Sequence, residues 1–509
     1  MKAHAKFIIF LFICTLWVGI FFILPDFIDN PISGFKGFLI TTFHWGLICF
    51  ATFFLIYLIA VNKYLFSFLF PLLSLTGAVL GFYRYAFKAT LTPMIVDAAL
   101  NNDYGTTMDL ISVELVIFVI TSLIISVLFV RFRFKKIELT KPYWHLLIAL
   151  TGLFLLFSFN TRVKASIIQR FPYNIFYSLS EYSKLRSALS RERIDFDPYF
   201  SCDNINNSDS LTIVLVIGES ARADHFSLNG YHRKTNFRLE KRNNLISLPN
   251  MYSEYTYTNR SIPHMLTRAD SVNENLAFIE SSFISLFNKC GYRTEWISNQ
   301  DPADSYIYFM NECDTIIYAH PEKSVYNYNE WIDEDLLPFV GNTMLKKFPK
   351  NLFILHTIGS HWYYNNHFTK EFEIYKPITR SRIISQNSPE EIINSYDNTI
   401  VYTDYFLDKI IEKLENKNAL MIYISDHGEV LGEDGMWLHA GDHTVSKNTA
   451  CVIWYSEEYA TRNPEKTEAL NQHKNKKWRT DFLFHSILSA AEIPTAVIKK
   501  DMDVFSLKK

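Results

Sequence analysis

Five stretches in the first 160 residues are long and apolar enough to cross a membrane, and they constrain the fold more than any other feature. They are Phe7–Leu24, Gly37–Val61, Leu65–Tyr83, Val113–Val130 and Tyr143–Phe159. A bilayer offers the backbone no water, so about 20 consecutive apolar residues satisfy their peptide groups only as a helix. Lys2 and Lys6 precede the first stretch and no small-residue cleavage site follows it, which favours a retained anchor over a signal peptide. The sequence predicts a membrane domain of five helices over residues 1–160.

The basic residues between these stretches indicate the orientation of the chain. Lys2, Lys6 and Lys63 fall on the same side as the cluster between the fourth and fifth stretches, which holds Arg131, Arg133, Lys135 and Lys136. Loops rich in Lys and Arg stay in the cytoplasm. An odd number of spans then places everything after residue 160 outside the inner membrane, which is the periplasm in a bacterium with two membranes. We expect an interfacial linker over residues 161–205 and a periplasmic domain over residues 206–509.

The outer half alternates apolar strands with helical stretches. The predicted strands are Leu211–Ile217, Arg293–Ile297, Thr315–Tyr318, Leu352–Thr357, Leu420–Ser425 and Cys451–Tyr455, and the helices between them include Ala277–Asn288, Glu390–Leu414 and Asp481–Ala491. Such alternation is typical of an α/β domain with a mainly parallel sheet covered by helices on both faces. The formal net charge of −2 gives no reason to expect nucleic-acid binding.

Two of the predicted strands end in side chains that bind metals. Glu219 follows the strand that begins at Leu211, and Asp426 and His427 follow the strand that begins at Leu420. Because the carboxyl ends of parallel strands meet at one edge of a sheet, these side chains should converge. Carboxylate oxygen and imidazole nitrogen together suit Zn²⁺, and three ligands leave one position open for a nucleophile. The alternative is that Glu219 and Asp426 cap helices, and either residue alone would favour that interpretation.

Hydroxyl and imidazole groups elsewhere could complete such a site. Thr256 and Thr258 precede an apolar helical stretch, where a threonine is an ordinary helix cap or, if a metal lowers the pKa of its hydroxyl, a nucleophile. His356 lies at the end of the predicted strand Leu352–Thr357 and His361 follows it, whereas His439 lies in a glycine-containing loop after Asp426 and His427, on the same edge. They are candidates for a second metal or for phosphate contacts, although isolated histidines are usually structural or solvated.

The six cysteines fall into two groups. Cys14 and Cys49 lie inside apolar stretches, where they need no role beyond packing. The other four face an oxidising compartment, and they are Cys202, Cys290, Cys313 and Cys451. Cys290 and Cys313 are a candidate pair, and the sequence leaves the connectivity open.

Several segments together resemble a known family. They are Gly218-Glu219-Ser220-Ala221-Arg222, Phe226-Ser227-Leu228-Asn229-Gly230-Tyr231, His356-Thr357-Ile358-Gly359-Ser360-His361, Tyr396-Asp397-Asn398-Thr399-Ile400 with Tyr402-Thr403-Asp404, Ser425-Asp426-His427-Gly428-Glu429 and Leu438-His439. In order and spacing the chain resembles the membrane-bound phosphoethanolamine transferases, which include lipid A modifying enzymes that confer polymyxin resistance. The resemblance implies an alkaline-phosphatase/sulfatase-like fold for the outer domain.

The resemblance also implies roles for individual residues. Glu219, Thr258, Asp426 and His427 would bind a catalytic Zn²⁺, with Thr258 as the nucleophile that forms a covalent phosphoenzyme. His361 and His439 would contact the transferred phosphoryl group or a second zinc, and His356 is a further candidate for that group. The implied reaction moves phosphoethanolamine from phosphatidylethanolamine in the membrane to lipid A, the lipopolysaccharide core or another surface glycan.

Other functions fit parts of the same pattern. A phosphoglycerol transferase shares the architecture of five spans with an outer sulfatase-like domain, and a membrane protein that only binds a ligand would need no nucleophile. A lysine that some relatives carry after the third strand has no counterpart near Ser298-Asn299-Gln300, so the resemblance leaves the acceptor open.

Overall fold

The computed structural model describes residues 2–29, 34–87, 91–93, 95–96, 100, 112–139, 141–158, 164, 167–168, 170–200, 202, 210–321, 330–345, 348–382, 384–438 and 443–507. The chain divides into two compact units, one within Met1–Lys184 and Pro321–Asn329 and the other within Leu185–His320 and Glu330–Lys509. The linker and domain boundaries that the sequence indicates, near residues 160 and 205, stay predictions.

The first unit contains a helix at each of the five apolar stretches. The helices are α1 (Lys2–Asp29), α2 (Gly34–Val61), α3 (Lys63–Phe87), α4 (Val113–Lys136) and α5 (Pro142–Ser158), and α6 (Tyr173–Leu189) follows them. By length and composition, α1 to α4 can each cross a membrane. Helix α5 is apolar but is described over only 17 residues, at the lower limit for a span. Four of the five predicted spans are therefore confirmed as helices of sufficient length, and the fifth span stays a prediction.

A buried arginine caps the carboxyl-terminal end of α2. Arg133 on α4 is only 3% exposed, and its guanidinium donates to the carbonyl oxygens of Ala60 and Val61 at the end of α2, at 2.9 and 3.1 Å. The last carbonyls of a helix have no partner within the helix, and an unsatisfied carbonyl in an apolar surrounding is costly. Many apolar side chains elsewhere on α1 to α5 stay exposed, with Phe68 71% exposed, as a lipid-facing surface requires.

A seven-stranded sheet is the centre of the second unit. Its strands are β1 (Leu211–Gly218), β2 (Leu245–Ser247), β4 (Arg293–Ser298), β5 (Thr315–Tyr318), β6 (Lys350–His356), β7 (Ala419–Ser425) and β8 (Cys451–Tyr455), in the order β2-β8-β7-β1-β6-β4-β5. The short strands β3 (Met251–Tyr252) and β9 (Trp478–Arg479) form a separate parallel pair. The neighbours β7, β1, β6, β4 and β5 run parallel, and β8 is antiparallel to both β7 and β2. All six predicted strands and the mainly parallel sheet are confirmed.

Helices cover both faces of the sheet. They are α7 (Thr258–Leu266), α8 (Leu276–Ile279), α9 (Phe283–Lys289), α10 (Ile307–Met310), α11 (Leu337–Leu345), α12 (Pro389–Leu414), α13 (Glu457–Arg462), α14 (Pro464–His473) and α15 (Phe482–Ala490). On β1, Ile213 and Leu215 pack into the core that contains α15, and Val214 and Val216 pack into the core that contains α12. A strand buried on both faces explains why β1 is apolar throughout rather than alternating. The sheet is thus held rigidly beneath the loops at its carboxyl edge.

The helix predicted over Ala277–Asn288 is wrong as a single element. Helix α8 ends at Ile279 and α9 begins at Phe283. Glu280 between them makes a bidentate ion pair with Arg268, and Ser282 caps α9 by accepting from the backbone N–H of Ile284. These tertiary and capping bonds outweigh the helical periodicity of the segment.

The candidate pairing of Cys290 with Cys313 is also wrong. Cys290, at the end of α9, forms a disulfide with Cys202, and Cys313 is a buried free thiol. The two paired residues are 88 positions apart, so sequence spacing gave no sign of their proximity. The bond ties the segment that precedes β1 to the core of the second unit.

We predict that peptide mapping without reductant recovers the Cys202–Cys290 cross-link from the purified protein. Cys313 should be alkylated only after denaturation, because it is buried in the core. The measurement is mass spectrometry of peptides after differential alkylation. Replacing Cys202 with Ser should lower the free energy of unfolding by about 2–4 kcal/mol, since the bond closes a long loop. A cross-link between Cys290 and Cys313 would contradict the structure.

Candidate active site

Three buried side chains converge at the carboxyl edge of the sheet. Glu219 follows β1, and Asp426 and His427 follow the neighbouring strand β7, whose last residue, Ser425, lies opposite Gly218. One ligand atom from each of the three side chains lies within 4.8 Å of the others, and all three side chains are buried. This is the convergence that the sequence predicted. Burial and the adjacent Glu219 carboxylate raise the pKa of Asp426 above its usual range, because a second negative charge is unfavourable there.

The tautomer of His427 indicates that a cation fits between these groups. The Nδ1 of His427 lies 2.8 Å from the carbonyl oxygen of Gly428, and a carbonyl can only accept, so Nδ1 carries the proton. In the neutral ring Nε2 then has no proton, yet it lies 3.4 Å from carboxylate oxygens of both Glu219 and Asp426. Three lone pairs facing each other repel unless a cation lies among them. A tetrahedral ion with ligand bonds of about 2.0–2.1 Å would separate its ligands by roughly 3.3–3.4 Å, which matches these distances.

The backbone turn after β1 fixes the position of Glu219. Ser220 has a positive φ of 58°, which is uncommon for a residue other than glycine. The hydroxyl of Ser220 donates to Oε1 of Glu219 at 2.7 Å, and its N–H donates to Oδ1 of Asp426 at 3.3 Å. Tyr396 on α12 stabilises the turn with two hydrogen bonds. Its hydroxyl donates to the Ser220 carbonyl and accepts from the N–H of Arg222, both at 2.8 Å. The strained turn therefore aligns both carboxylates.

A second loop, after β6, presses against the same turn. Gly359 has a φ of 52°, and a Cβ atom there would lie 2.8 Å from the backbone oxygen of Glu219 and 2.9 Å from its nitrogen. The buried carboxylate of Asp333 accepts from the N–H groups of Ile358 and Gly359, at 2.8 and 2.9 Å, and from the side chain of Asn299 at 2.9 Å. Burial raises the pKa of Asp333 to about 6. Asp333 thereby holds the loop against Glu219.

Thr258 is the first residue of α7, and its hydroxyl donates to Oε2 of Glu219 at 2.9 Å. The residue before it, Tyr257, supplies no side-chain cap to the helix. The first N–H groups of a helix favour an anion, so this terminus suits a phosphate placed against the Thr258 hydroxyl. Thr256, two residues earlier, is buried and makes no hydrogen bond with the cluster among the contacts that the structure describes.

The three histidines predicted to contact phosphate or a second metal, His356, His361 and His439, differ in their surroundings. His361 is half-buried, and its Nδ1 lies 2.6 Å from the carbonyl oxygen of Trp362, so Nδ1 donates to that carbonyl. Its ring contacts that of His367 edge-on at 6.4 Å. His356 is fully buried between the rings of Trp296 and Tyr306, and burial lowers its pKa to about 4. His439 lies outside the described residues.

Sequence reasoning missed several residues that organise the site. Gln300 donates from Nε2 to Oε2 of Glu219 at 3.2 Å and to the Thr357 carbonyl at 2.7 Å. The sequence offered no signal for Gln300 or Asp333, because each acts through loops that approach one another only in the fold. Ser220 and Gly359 lie within motifs that the sequence analysis identified, but nothing in the sequence predicted that both residues adopt a left-handed backbone conformation.

Known proteins are similar to this chain in sequence and in fold. A family model described as Sulfatase matches residues 212–493. Phosphoethanolamine transferase EptA of Escherichia coli K12 is 29% identical over 352 residues, which cover 65% of this chain and 62% of that protein. The chain thus matches about three fifths of the length of that relative.

Two solved structures have the same fold. The integral membrane protein lipooligosaccharide phosphoethanolamine transferase A (EptA) of Neisseria meningitidis superposes with a TM-score of 0.56 and 22% identity, over 97% of this chain and 98% of that one. The C-terminal periplasmic domain of EptC from Escherichia coli, in complex with Zn, superposes with a TM-score of 0.54 and 24% identity, over 59% of this chain and 88% of that one.

Apolar helices followed by a mostly parallel α/β sheet, with acidic and imidazole groups at its carboxyl edge, define the alkaline-phosphatase-like class with a membrane anchor. The chain belongs to the sulfatase family, and the relatives named above, to which it is similar in sequence and fold, are phosphoethanolamine transferases.

We predict that Gly359→Ala lowers the metal content of the purified protein, because the new methyl group would displace the backbone of Glu219. The matched control is Gly230→Ala. Gly230 also has a positive φ, of 93°, but a Cβ there meets nothing within 4 Å. Both variants should lose about 1–2 kcal/mol from left-handed backbone strain. Elemental analysis of bound zinc, alongside thermal unfolding, separates the two effects, and equal zinc contents would contradict the close approach described here.

Proposed function

We propose that the protein transfers phosphoethanolamine from phosphatidylethanolamine to lipid A, to the lipopolysaccharide core or to another surface glycan. One observation carries the proposal. The hydroxyl of Thr258 lies 2.9 Å from a carboxylate that also borders Asp426 and His427, all three buried beneath the N-terminus of α7. A nucleophile at an anion-binding helix terminus, beside a cation site, is the arrangement that phosphoryl transfer needs.

The first half-reaction is an attack by Thr258 on the donor lipid. The Oγ1 of Thr258 forms a bond to phosphorus while the bond from phosphorus to the diacylglycerol oxygen breaks. The hydroxyl proton passes to Oε2 of Glu219, which already accepts it, and from there to the departing diacylglycerol. Phosphoethanolamine remains bound to Thr258 as a phosphodiester-linked intermediate.

The second half-reaction regenerates the threonine. An acceptor hydroxyl attacks phosphorus, the bond to Thr258 breaks, and the acceptor's proton returns to the threonine oxygen through Glu219. The net products are diacylglycerol and an acceptor that carries phosphoethanolamine. Because the same residues serve both steps, the enzyme needs only one site that binds donor and acceptor in turn.

Glu219, Asp426, His427 and the Thr258 hydroxyl are the residues that would hold Zn²⁺. The two 3.4 Å distances from Nε2 of His427 to Glu219 and Asp426 match a tetrahedral ion, and the EptC domain from Escherichia coli, which shares the fold, is described in complex with Zn. When bound, the ion would lower the pKa of the hydroxyl and offset charge on the phosphoryl oxygens. A second zinc at His361 and His439 belongs to the same proposal.

His361 would bind a phosphoryl oxygen or a second ion through its imidazole, the role that the resemblance implies for it. Its Nδ1 lies 2.6 Å from the Trp362 carbonyl oxygen, which fixes the orientation of the ring. Helix α7 adds the N–H groups of its first turn beside Thr258. These groups stabilise charge that develops on the phosphoryl group without moving during the reaction.

The proposed location is the inner membrane of a two-membrane bacterium, with the sheet domain in the periplasm. Four helices that can cross a membrane support the anchoring, and the positive-inside pattern supports the orientation. Both proposed lipid substrates would then stay in the plane of the membrane, which raises their effective concentration at the enzyme.

We predict that Thr258→Ala abolishes a phosphoethanolamine adduct that forms when the purified protein meets phosphatidylethanolamine. The adduct is measured by mass spectrometry of the intact protein and of its peptides. Thr256→Ala is the matched control, because that hydroxyl lies two residues away and does not contact the cluster. The wild type and the control should both carry the adduct on Thr258.

The same experiment with phosphatidylglycerol tests the competing function. An adduct from phosphatidylglycerol alone would assign the protein as a phosphoglycerol transferase. An absence of any adduct in the wild type, together with unchanged transfer by Thr258→Ala, would reject the covalent mechanism.

We predict that Asp426→Asn lowers the zinc content of the protein to a small fraction of the wild-type value. Asp404→Asn is the control, since Asp404 is equally buried but accepts only from the backbone N–H groups of Arg238 and Leu239. Both substitutions should reduce stability, and only the first should reduce bound zinc. The measurement is elemental analysis after dialysis, with isothermal titration of Zn²⁺ into the chelator-treated protein as a second readout.

A further inference from the structure

The segment from Gln300 to Ser305 borders the candidate nucleophile on two sides. At one end, Gln300 donates to Oε2 of Glu219 at 3.2 Å, the same oxygen to which Thr258 donates. At the other end, the hydroxyl of Ser305 donates to the side chain of Asn259 at 3.3 Å, directly after Thr258. The segment therefore lies beside the position where a phosphoryl group on Thr258 would project its substituent.

Hydrogen bonds fix the backbone of this segment. The hydroxyl of Ser298 donates to the Gln300 carbonyl at 2.8 Å and accepts from the Gln300 N–H at 3.2 Å. The hydroxyl of Tyr306 donates to the backbone oxygen of Asp301 at 2.6 Å. The Asp301 side chain is therefore presented from a backbone that is held on both sides, which is the preorganisation that a binding residue requires.

The carboxylate of Asp301 has no ion-pair or hydrogen-bond partner among the residues that the structure describes. It is half-buried, and desolvation raises its pKa to about 7. An acidic group without a cationic partner is expensive to desolvate, and natural sites usually keep such a group where a charged ligand completes the pair. Asp301 directly follows Gln300, which donates to Oε2 of Glu219, so the backbone of Asp301 lies next to a residue that contacts the candidate metal cluster.

We propose that Asp301 binds the ammonium group of the phosphoethanolamine headgroup and so selects the donor lipid. The inference rests on the proposed function and adds a specificity residue to it. In phosphatidylethanolamine the ammonium lies two carbons from the phosphate oxygen, so the residue that recognises it must border the nucleophile. Asp301 has the complementary charge, a fixed backbone and a carboxylate that has no partner among the described residues.

The test compares two donors that differ only in charge. Phosphatidylethanolamine carries an ammonium, and phosphatidylpropanol carries a methyl group in its place. The measurement is the ratio of kcat/KM for the two lipids, with the full-length protein in detergent micelles of fixed composition. The wild type should strongly prefer phosphatidylethanolamine. Asp301→Asn should lower that preference by about 10- to 100-fold, which corresponds to the loss of one hydrogen bond to a charged group.

Asp304→Asn is the matched control, because Asp304 is an exposed carboxylate in the same segment. It should retain the wild-type preference, and Asp301→Glu should retain most of it because the charge is kept. Asp301→Ser is a second neutral variant in case the asparagine protein does not fold. The ratio of two donors measured on one protein cancels any general loss of active enzyme.

The outcomes distinguish this inference from the proposed function. If the wild type transfers from phosphatidylethanolamine but the neutral Asp301 variants keep its preference, the inference is wrong and the proposed function stands. Equal losses in the Asp301 and Asp304 variants would show a general field effect and overturn the assignment. A wild type that forms no adduct from phosphatidylethanolamine rejects the proposed function, and the inference with it.

Discussion

The site depends on two buried carboxylates that the fold forces together. Glu219 and Asp426 are each almost completely buried, and their ligand atoms lie within 4.8 Å of one another and of a ring nitrogen of His427. Two like charges at that separation repel by about 3 kcal/mol at an effective dielectric constant of about 20, before the cost of desolvating each is counted. This repulsion is tolerable in the folded protein only if a cation or bound protons offset the two negative charges. The electrostatics of the cluster therefore favour a cation there, as its donor atoms do.

A strained turn at Ser220 and a close backbone approach at Gly359 maintain that geometry. The turn at Ser220 takes a left-handed conformation, and Gly359 lets a second loop approach the Glu219 backbone more closely than any side chain would permit. Tyr396 and Asp333 hold these two turns through buried hydrogen bonds. Because both anchors come from elements that pack on the sheet, the carboxylates cannot move apart to relieve their repulsion without disturbing the core.

The sequence predicted the parts of this arrangement that depend on local pattern. Apolar runs predicted the four helices that are long enough to span a membrane and the strands of the sheet. The abrupt change to Glu219 and to Asp426 at the ends of β1 and β7 predicted that these side chains converge, because parallel strands share an edge. Contacts between distant segments gave no such signal. Cys202 forms a disulfide with Cys290, 88 residues away. Glu280, between α8 and α9, pairs with Arg268, and Gln300 in a loop donates to Glu219. Each of these depends on tertiary packing rather than on the periodicity of its own segment.

The two carboxylate oxygens of Glu219 have different partners. Oε1 accepts from the hydroxyl of Ser220 and lies 3.4 Å from Nε2 of His427, so it faces the candidate cation site. Oε2 accepts from Thr258 and from Gln300, so it faces the candidate nucleophile. Since these donors hold both oxygens, the carboxylate cannot rotate to exchange them. In the proposed mechanism, the proton of Thr258 would pass to the oxygen that does not face the cation, and the negative charge on the threonine would develop beside the ion. One rigid carboxylate would thus couple the position of the ion to the activation of the hydroxyl.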